Sequence, residues 1–96
     1  MIELYEVAIP ASGSVENVVV TAWLVAVGDT VAEDDLLAEI STDKVDTELA
    51  SPQAGRVAAF LVAEEDEVSV GTVVCLLAPA DADDDEMAAA VAARHG

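Results

Sequence analysis

The chain matches itself at a spacing of 37 residues. The stretch VTAWLVAVGDTV (residues 20–31) falls on VAAFLVAEEDEV (57–68) with seven identities: Val20/Val57, Ala22/Ala59, Leu24/Leu61, Val25/Val62, Ala26/Ala63, Asp29/Asp66 and Val31/Val68. Trp23 meets Phe60, and the match continues through Leu36/Val73, Leu37/Val74 and Ile40/Leu77. Two copies cannot make a stacked solenoid, which needs three or more repeats. They can make two half-domains that bury their apolar faces against each other.

Each half reads as short apolar runs between polar turns. Candidate strands are residues 4–9, 18–25, 30–31 and 36–41, then 45–49, 57–62, 67–68 and 73–77. Turn signals separate them at Pro10 to Ser14, Val27-Gly28-Asp29, Pro52 to Gly55 and Gly71. Connections this short leave no room for crossover helices. The expected fold is therefore all-β and antiparallel, a sandwich or flattened barrel. Apolar residues make up 54% of the 96, but only Tyr5, Trp23 and Phe60 are aromatic. The core must be built from Val, Leu, Ile and Ala.

AEISTDKVDTELASP (38–52) joins the halves. Glu39 belongs to water, so Ala38, Ile40 and Thr42 share the inward face. On the return strand Asp46 and Glu48 belong to water, which turns Val45, Thr47 and Leu49 inward. Like faces must match across an antiparallel ladder. Pairing Thr42 with Val45, Ile40 with Thr47 and Ala38 with Leu49 satisfies every position. Two residues are left for the loop, Asp43 and Lys44.

Lys44 is the only lysine; Arg56 and Arg94 complete the cations, against 20 acidic residues and a formal net charge of −17. That charge opposes nucleic acid as a partner and favours basic protein surfaces. A catalytic amine needs burial or a neighbouring cation to lower its pKa. Asp43, Asp46 and Glu48 surround Lys44 with the opposite influence, and the one histidine, His95, is far along the chain. Schiff-base chemistry is therefore disfavoured, and a covalently attached carrier group best explains an exclusive lysine at the joint of a duplication. Cys75 stands alone, so no intrachain disulfide or cysteine metal cluster can form. Its repeat mate is Ala38, which predicts a buried thiol. No apolar run approaches the roughly 20 residues of a membrane span, and the opening MIELYE is acidic. The expectation is a soluble, cytoplasmic protein.

STDKVDTELASPQAG (41–55) closely resembles the modification hairpin of lipoyl domains, the biotinyl/lipoyl-attachment family, from the acyltransferase component of 2-oxo acid dehydrogenase complexes. WLVAVGDTV (23–31) and VSVGTVVCLL (68–77) resemble flanking segments of the same domains. The resemblance implies a flattened barrel of two four-stranded sheets with pseudo-twofold symmetry, in a domain over residues 1–80. It implies lipoic acid in amide linkage to Lys44, with Asp43 and Val45 as flanking recognition residues. The implied partners are a lipoate ligase or lipoyl transferase, a thiamine-dependent 2-oxo acid decarboxylase, the acyltransferase core and dihydrolipoamide dehydrogenase. Such a domain carries acyl groups and electrons and catalyses nothing itself.

The sequence departs from the family pattern at Val18 and Glu65, where glycine is usual. In the repeat, Gly55 matches Val18 and Gly28 matches Glu65, so a positive φ at Val18 would strain a β-branched residue. The loop IPASGSVEN (9–17) lacks the usual Gly-Glu-Ser. By resemblance, Ala11, Ser12, Gly13 and Ser14 lie beside the tip and, with Asp46 and Glu48, are candidates for partner recognition.

Three alternatives stand beside the lipoyl reading. A biotin carrier shares fold and tip lysine, but its lysine usually lies between two methionines, where Asp43 and Val45 stand here. The glycine cleavage carrier has a different tip sequence. An acidic binding module would make the lysine incidental. Composition shifts at Pro79. Residues 81–96 read as an acidic, Ala-rich linker or tail, flexible on the preferred reading, although Asp83 or Asp84 could cap a short helix.

Overall fold

Eight strands and one helix follow in order in the computed structural model, which describes residues 2–10, 16–42 and 45–95: β1 (Tyr5–Ala8), β2 (Asn17–Trp23), β3 (Thr30–Val31), β4 (Leu36–Ser41), β5 (Asp46–Ala50), β6 (Gly55–Phe60), β7 (Glu67–Ser69), β8 (Val73–Ala78) and α1 (Asp84–His95). The strands form two antiparallel four-stranded sheets ordered β1-β8-β6-β3 and β5-β4-β2-β7. β2, β3 and β4 have their repeat mates β6, β7 and β8 at the same places in the other sheet, and β1 and β5 occupy matching edges. The pseudo-twofold axis therefore passes between the sheets, as the repeat requires. The inner faces meet in one core containing Val7, Val20, Leu37, Ala38, Val57, Val74, Cys75 and Leu77. Among the described residues no helix is long and apolar enough to cross a membrane.

The turns repeat as closely as the strands. Asp29 accepts the Ala26 N–H through Oδ2 at 2.9 Å, and Asp66 accepts the Ala63 N–H through Oδ2 at 2.9 Å. The Gly28 N–H donates to Val57 O at 2.7 Å; its mate, the Glu65 N–H, donates to Val20 O at 2.6 Å. Each half thus ties its own turn into the other half's central strand, so neither is complete alone.

All four positive-φ residues among those described fall in two repeat-related pairs: Gly28 (96°) with Glu65 (74°), and Asp34 (73°) with Gly71 (87°). A positive φ at Glu65 carries a steric cost that glycine avoids. Val18 is different. It is a buried β2 residue without positive φ, so the strain contemplated there does not arise. Its mate Gly55 is required for contact rather than for φ: a Cβ there would lie 2.5 Å from Ala78 O.

The chain beyond Pro79 departs from the expected flexible linker. Residues 84–95 are helical, and Ala82, Met87 and Ala90 are buried. Asp83 caps the helix: its Oδ1 accepts the Glu86 N–H at 2.7 Å while Glu86 Oε1 accepts the Asp83 N–H at 3.1 Å, a reciprocal capping box. Met87 and Val91 pack with Leu76, Ala58, Ala78, Leu61 and Val73 on the outer face of the β1-β8-β6 sheet. Arg56 holds the junction, donating to Gly28 O (2.9 Å), Ala82 O (2.6 Å) and Asp84 Oδ1 (2.9 Å). Arg94 pairs with Glu6. An isolated helix this short is marginal in water; burial against the sheet supplies what propensity lacks.

Candidate functional site

The β4–β5 hairpin follows the register expected from like faces. Ala38 pairs with Leu49, Glu39 with Glu48, Ile40 with Thr47 and Ser41 with Asp46. One step further, the Thr42 N–H donates to Val45 O at 2.9 Å. The chain therefore reverses within two positions. Asp43 and Lys44 themselves lie outside the described residues, as do Ala11, Ser12, Gly13 and Ser14.

The neck of the hairpin is braced by side chains that pattern reading did not single out. The Thr42 hydroxyl donates to Val45 O (3.0 Å) and accepts the Val45 N–H (3.1 Å). Ser41 Oγ donates to Asp46 Oδ1 at 2.8 Å. Short polar side chains next to a tight turn do this routinely, which is the signal that was available in Ser41-Thr42. Asp46 is thus engaged within the hairpin through one oxygen. Glu48 is exposed and faces Glu39 directly.

Two residues depart from the inward placement expected of them. Val45 is 60% exposed and Thr47 is also exposed, whereas Ile40 and Leu49 are buried. Alternation assigned their face correctly, since their pairing is as expected, but among the described residues no second layer covers the hairpin end. Val45, Asp46 and Glu48 are all exposed beside the loop.

Chemistry elsewhere is sparse. Cys75 is fully buried, and burial raises its thiol to about 11, so it is an inert core residue. Trp23 and Phe60 are half-buried packing partners. Among the described residues no three His, Cys, Asp or Glu side chains converge to hold a metal. What the described residues show is a hairpin neck braced by Ser41, Thr42 and Asp46, with Val45 and Glu48 exposed on its flanks.

Comparison with known proteins agrees with this geometry. The family model Biotin_lipoyl, described as biotin-requiring enzyme, matches residues 5–77. The dihydrolipoyllysine-residue acetyltransferase component of the pyruvate dehydrogenase complex of Corynebacterium glutamicum is 49% identical over 78 residues, covering 80% of this chain and 12% of that protein. The protein of the same name in Staphylococcus aureus is 40% identical over 65 residues, covering 68% of this chain and 15% of its own length. In Mycobacterium tuberculosis the identity is 56% over 52 residues, 53% of this chain and 9% of the relative. The chain thus spans a small fraction of each of these relatives. With the two-sheet fold, the internal twofold and the match over residues 5–77 together, the chain belongs to the biotinyl/lipoyl-attachment family.

Proposed function

We propose that this chain is a lipoyl carrier, with lipoic acid in amide linkage to Lys44, serving a pyruvate dehydrogenase complex. The observation that carries the reading is the closed hairpin neck, the Thr42 N–H on Val45 O at 2.9 Å. It leaves only residues 43 and 44 to turn the chain, and one of them is its single lysine. When bound, lipoic acid supplies a disulfide ring that takes up an acyl group with two electrons at one enzyme and yields them at others. The names of the relatives favour pyruvate as the 2-oxo acid. Asp43 and Val45, where biotinylated tips carry methionine, favour lipoate over biotin.

The chain's own residues hold and present the amine. Thr42 and Ser41 stiffen the neck, Val45 and Asp43 flank the amine for a lipoate ligase or lipoyl transferase, and tethering raises the local concentration of the arm at each partner. The decarboxylase reads Ala11, Ser12, Gly13, Ser14, Asp46 and Glu48. The acyltransferase core and dihydrolipoamide dehydrogenase perform the later steps. We assign no catalytic step to the domain itself.

Reductive acylation tests the reading. The lipoate-loaded chain, presented to a pyruvate decarboxylase component with pyruvate, is acylated at Lys44, and Lys44→Arg is not. Acylation of the Lys44→Arg chain overturns the proposal.

A further inference from the structure

The twofold repeat allows one outer sheet face to be compared with the other. On the β1-β8-β6 sheet, Leu61, Val73, Ala58, Leu76 and Ala78 lie with α1. Their mates on the β5-β4-β2 sheet are Leu24, Leu36, Thr21, Glu39 and Ser41. Among the described residues no helix or strand covers this second face. Leu24 is 45% and Leu36 42% exposed. Beside them the cross-strand row Ala22–Glu39–Glu48 sets two carboxylates directly opposite each other, an arrangement that costs stability in isolation. A groove of about 460 Å³ adjoins the two carboxylates on the hairpin side of the leucines, lined by Thr21, Glu39, Ile40, Asp46, Thr47 and Glu48.

What fits this face follows from its charge and from its symmetry mate. None of β2, β4, β5 or β7 carries a basic residue. A second copy, with net charge −17, is repelled, and nucleic acid and anionic membrane carry the same sign. The covered face shows the form of occupant that this architecture accepts: a short helix that buries Met87 and Ala90, joined by an arginine on the sheet to an acid on the helix (Arg56 to Asp84). On the open face the sheet supplies the acids, so the helix must supply the cations.

We propose that the outer face of β5-β4-β2 is a docking site for an arginine-bearing amphipathic helix of a partner protein. Its apolar side chains sit on Leu24 and Leu36, and its guanidinium groups bridge Glu39 and Glu48, whose repulsion they relieve. The proposal rests on the carrier reading only for who brings the helix, namely an enzyme that works at the adjoining hairpin.

The test is an NMR titration of the isotope-labelled chain with a synthetic helical peptide of about 18 residues, leucines at i, i+4 and i+7 and arginines flanking them. Shifts confined to Thr21, Leu24, Leu36, Glu39 and Glu48 are expected. Glu39→Gln with Glu48→Gln weakens binding roughly tenfold, and Leu24→Ser with Leu36→Ser abolishes it while the remaining spectrum shows the fold intact. The same shifts in the Lys44→Arg chain separate this result from the fate of the carrier reading. Absence of binding, shifts spread over all acidic residues, or equal binding of a peptide with the same charge but no leucine stripe overturns the proposal.

Discussion

Trp23 and Phe60 stack with ring centroids 4.2 Å apart and planes inclined by 18°. They stand 37 residues apart at matching places in the two halves, so the pair lies across the pseudo-twofold axis and joins the sheets. Trp23 also donates its indole N–H to Val62 O at 3.2 Å. In a core otherwise made of aliphatic residues, this is the one stacked aromatic pair among the described residues. A double-mutant cycle with Trp23→Leu and Phe60→Leu, followed by urea unfolding, is expected to return a coupling of about 0.5–1.5 kcal/mol. Purely additive effects would mean that the stack is incidental.

Glu65 occupies a glycine conformation. Its mate Gly28 adopts φ of 96° and Glu65 itself 74°. Glu65→Gly is expected to stabilise the domain, or at worst leave it unchanged, by up to about 1 kcal/mol, because relief of the αL cost opposes the extra entropy of unfolded glycine. Gly55→Ala, in contrast, forces a Cβ into Ala78 O and is expected to destabilise by at least about 1–3 kcal/mol. Thermal unfolding of both variants checks the contrast, which separates a position that needs φ from one that needs space.

These two positions show what the sequence carries and what it does not. The repeat located both, but not which one needs φ and which needs space, since that depends on the neighbouring strand. All eight strands were legible because alternation and turn residues agree. The β4–β5 register was legible because matching like faces with the tightest loop sets Ile40 opposite Thr47 and Ala38 opposite Leu49. The docking of α1 was not. Its Ala-rich face gives little periodicity, and the clue lay elsewhere, in the unbroken apolar run Val73–Ala78, which is buried on both faces, unlike β4 with its exposed Glu39. The exposure of Val45 and Thr47 was hidden for the converse reason: alternation names a face and does not say whether a second layer covers it.

Arg56 ties α1 to the barrel through two backbone carbonyls and Asp84. Arg56→Ala leaves those carbonyls without their cationic donor and is expected to cost about 1–3 kcal/mol, expressed first as release of the helix. Hydrogen exchange and limited proteolysis are the readouts. Residues 84–94 should be protected in the wild type and cleaved early in the variant, with the Val20 to Leu77 region resistant in both. Early cleavage of 84–94 in the wild type would contradict the packed helix.

Cys75 is raised from 9.0 to about 11 by burial. The unfolded thiol ionises first, so this group's contribution is intact below pH 9 and declines as pH rises from 9 towards 11, by at most about 2–3 kcal/mol. Iodoacetamide at pH 8 should therefore leave the native protein unlabelled and modify Cys75 only on unfolding. Rapid native labelling would place the thiol at the surface.

The central claim is that one residue, Lys44, receives one lipoyl group. Intact mass with fragment sequencing, after co-expression with a lipoate ligase and lipoate, tests it most directly. The account predicts a single lipoyl adduct on Lys44 and an unmodified, folded Lys44→Arg. It also predicts slow or absent modification when residues 43 and 44 are exchanged, because the amine then leaves the two-residue turn in another direction and a misplacement of about 1 Å can cost roughly a hundredfold in rate. Efficient biotinylation with no lipoylation, or wild-type modification of the exchanged chain, would contradict it.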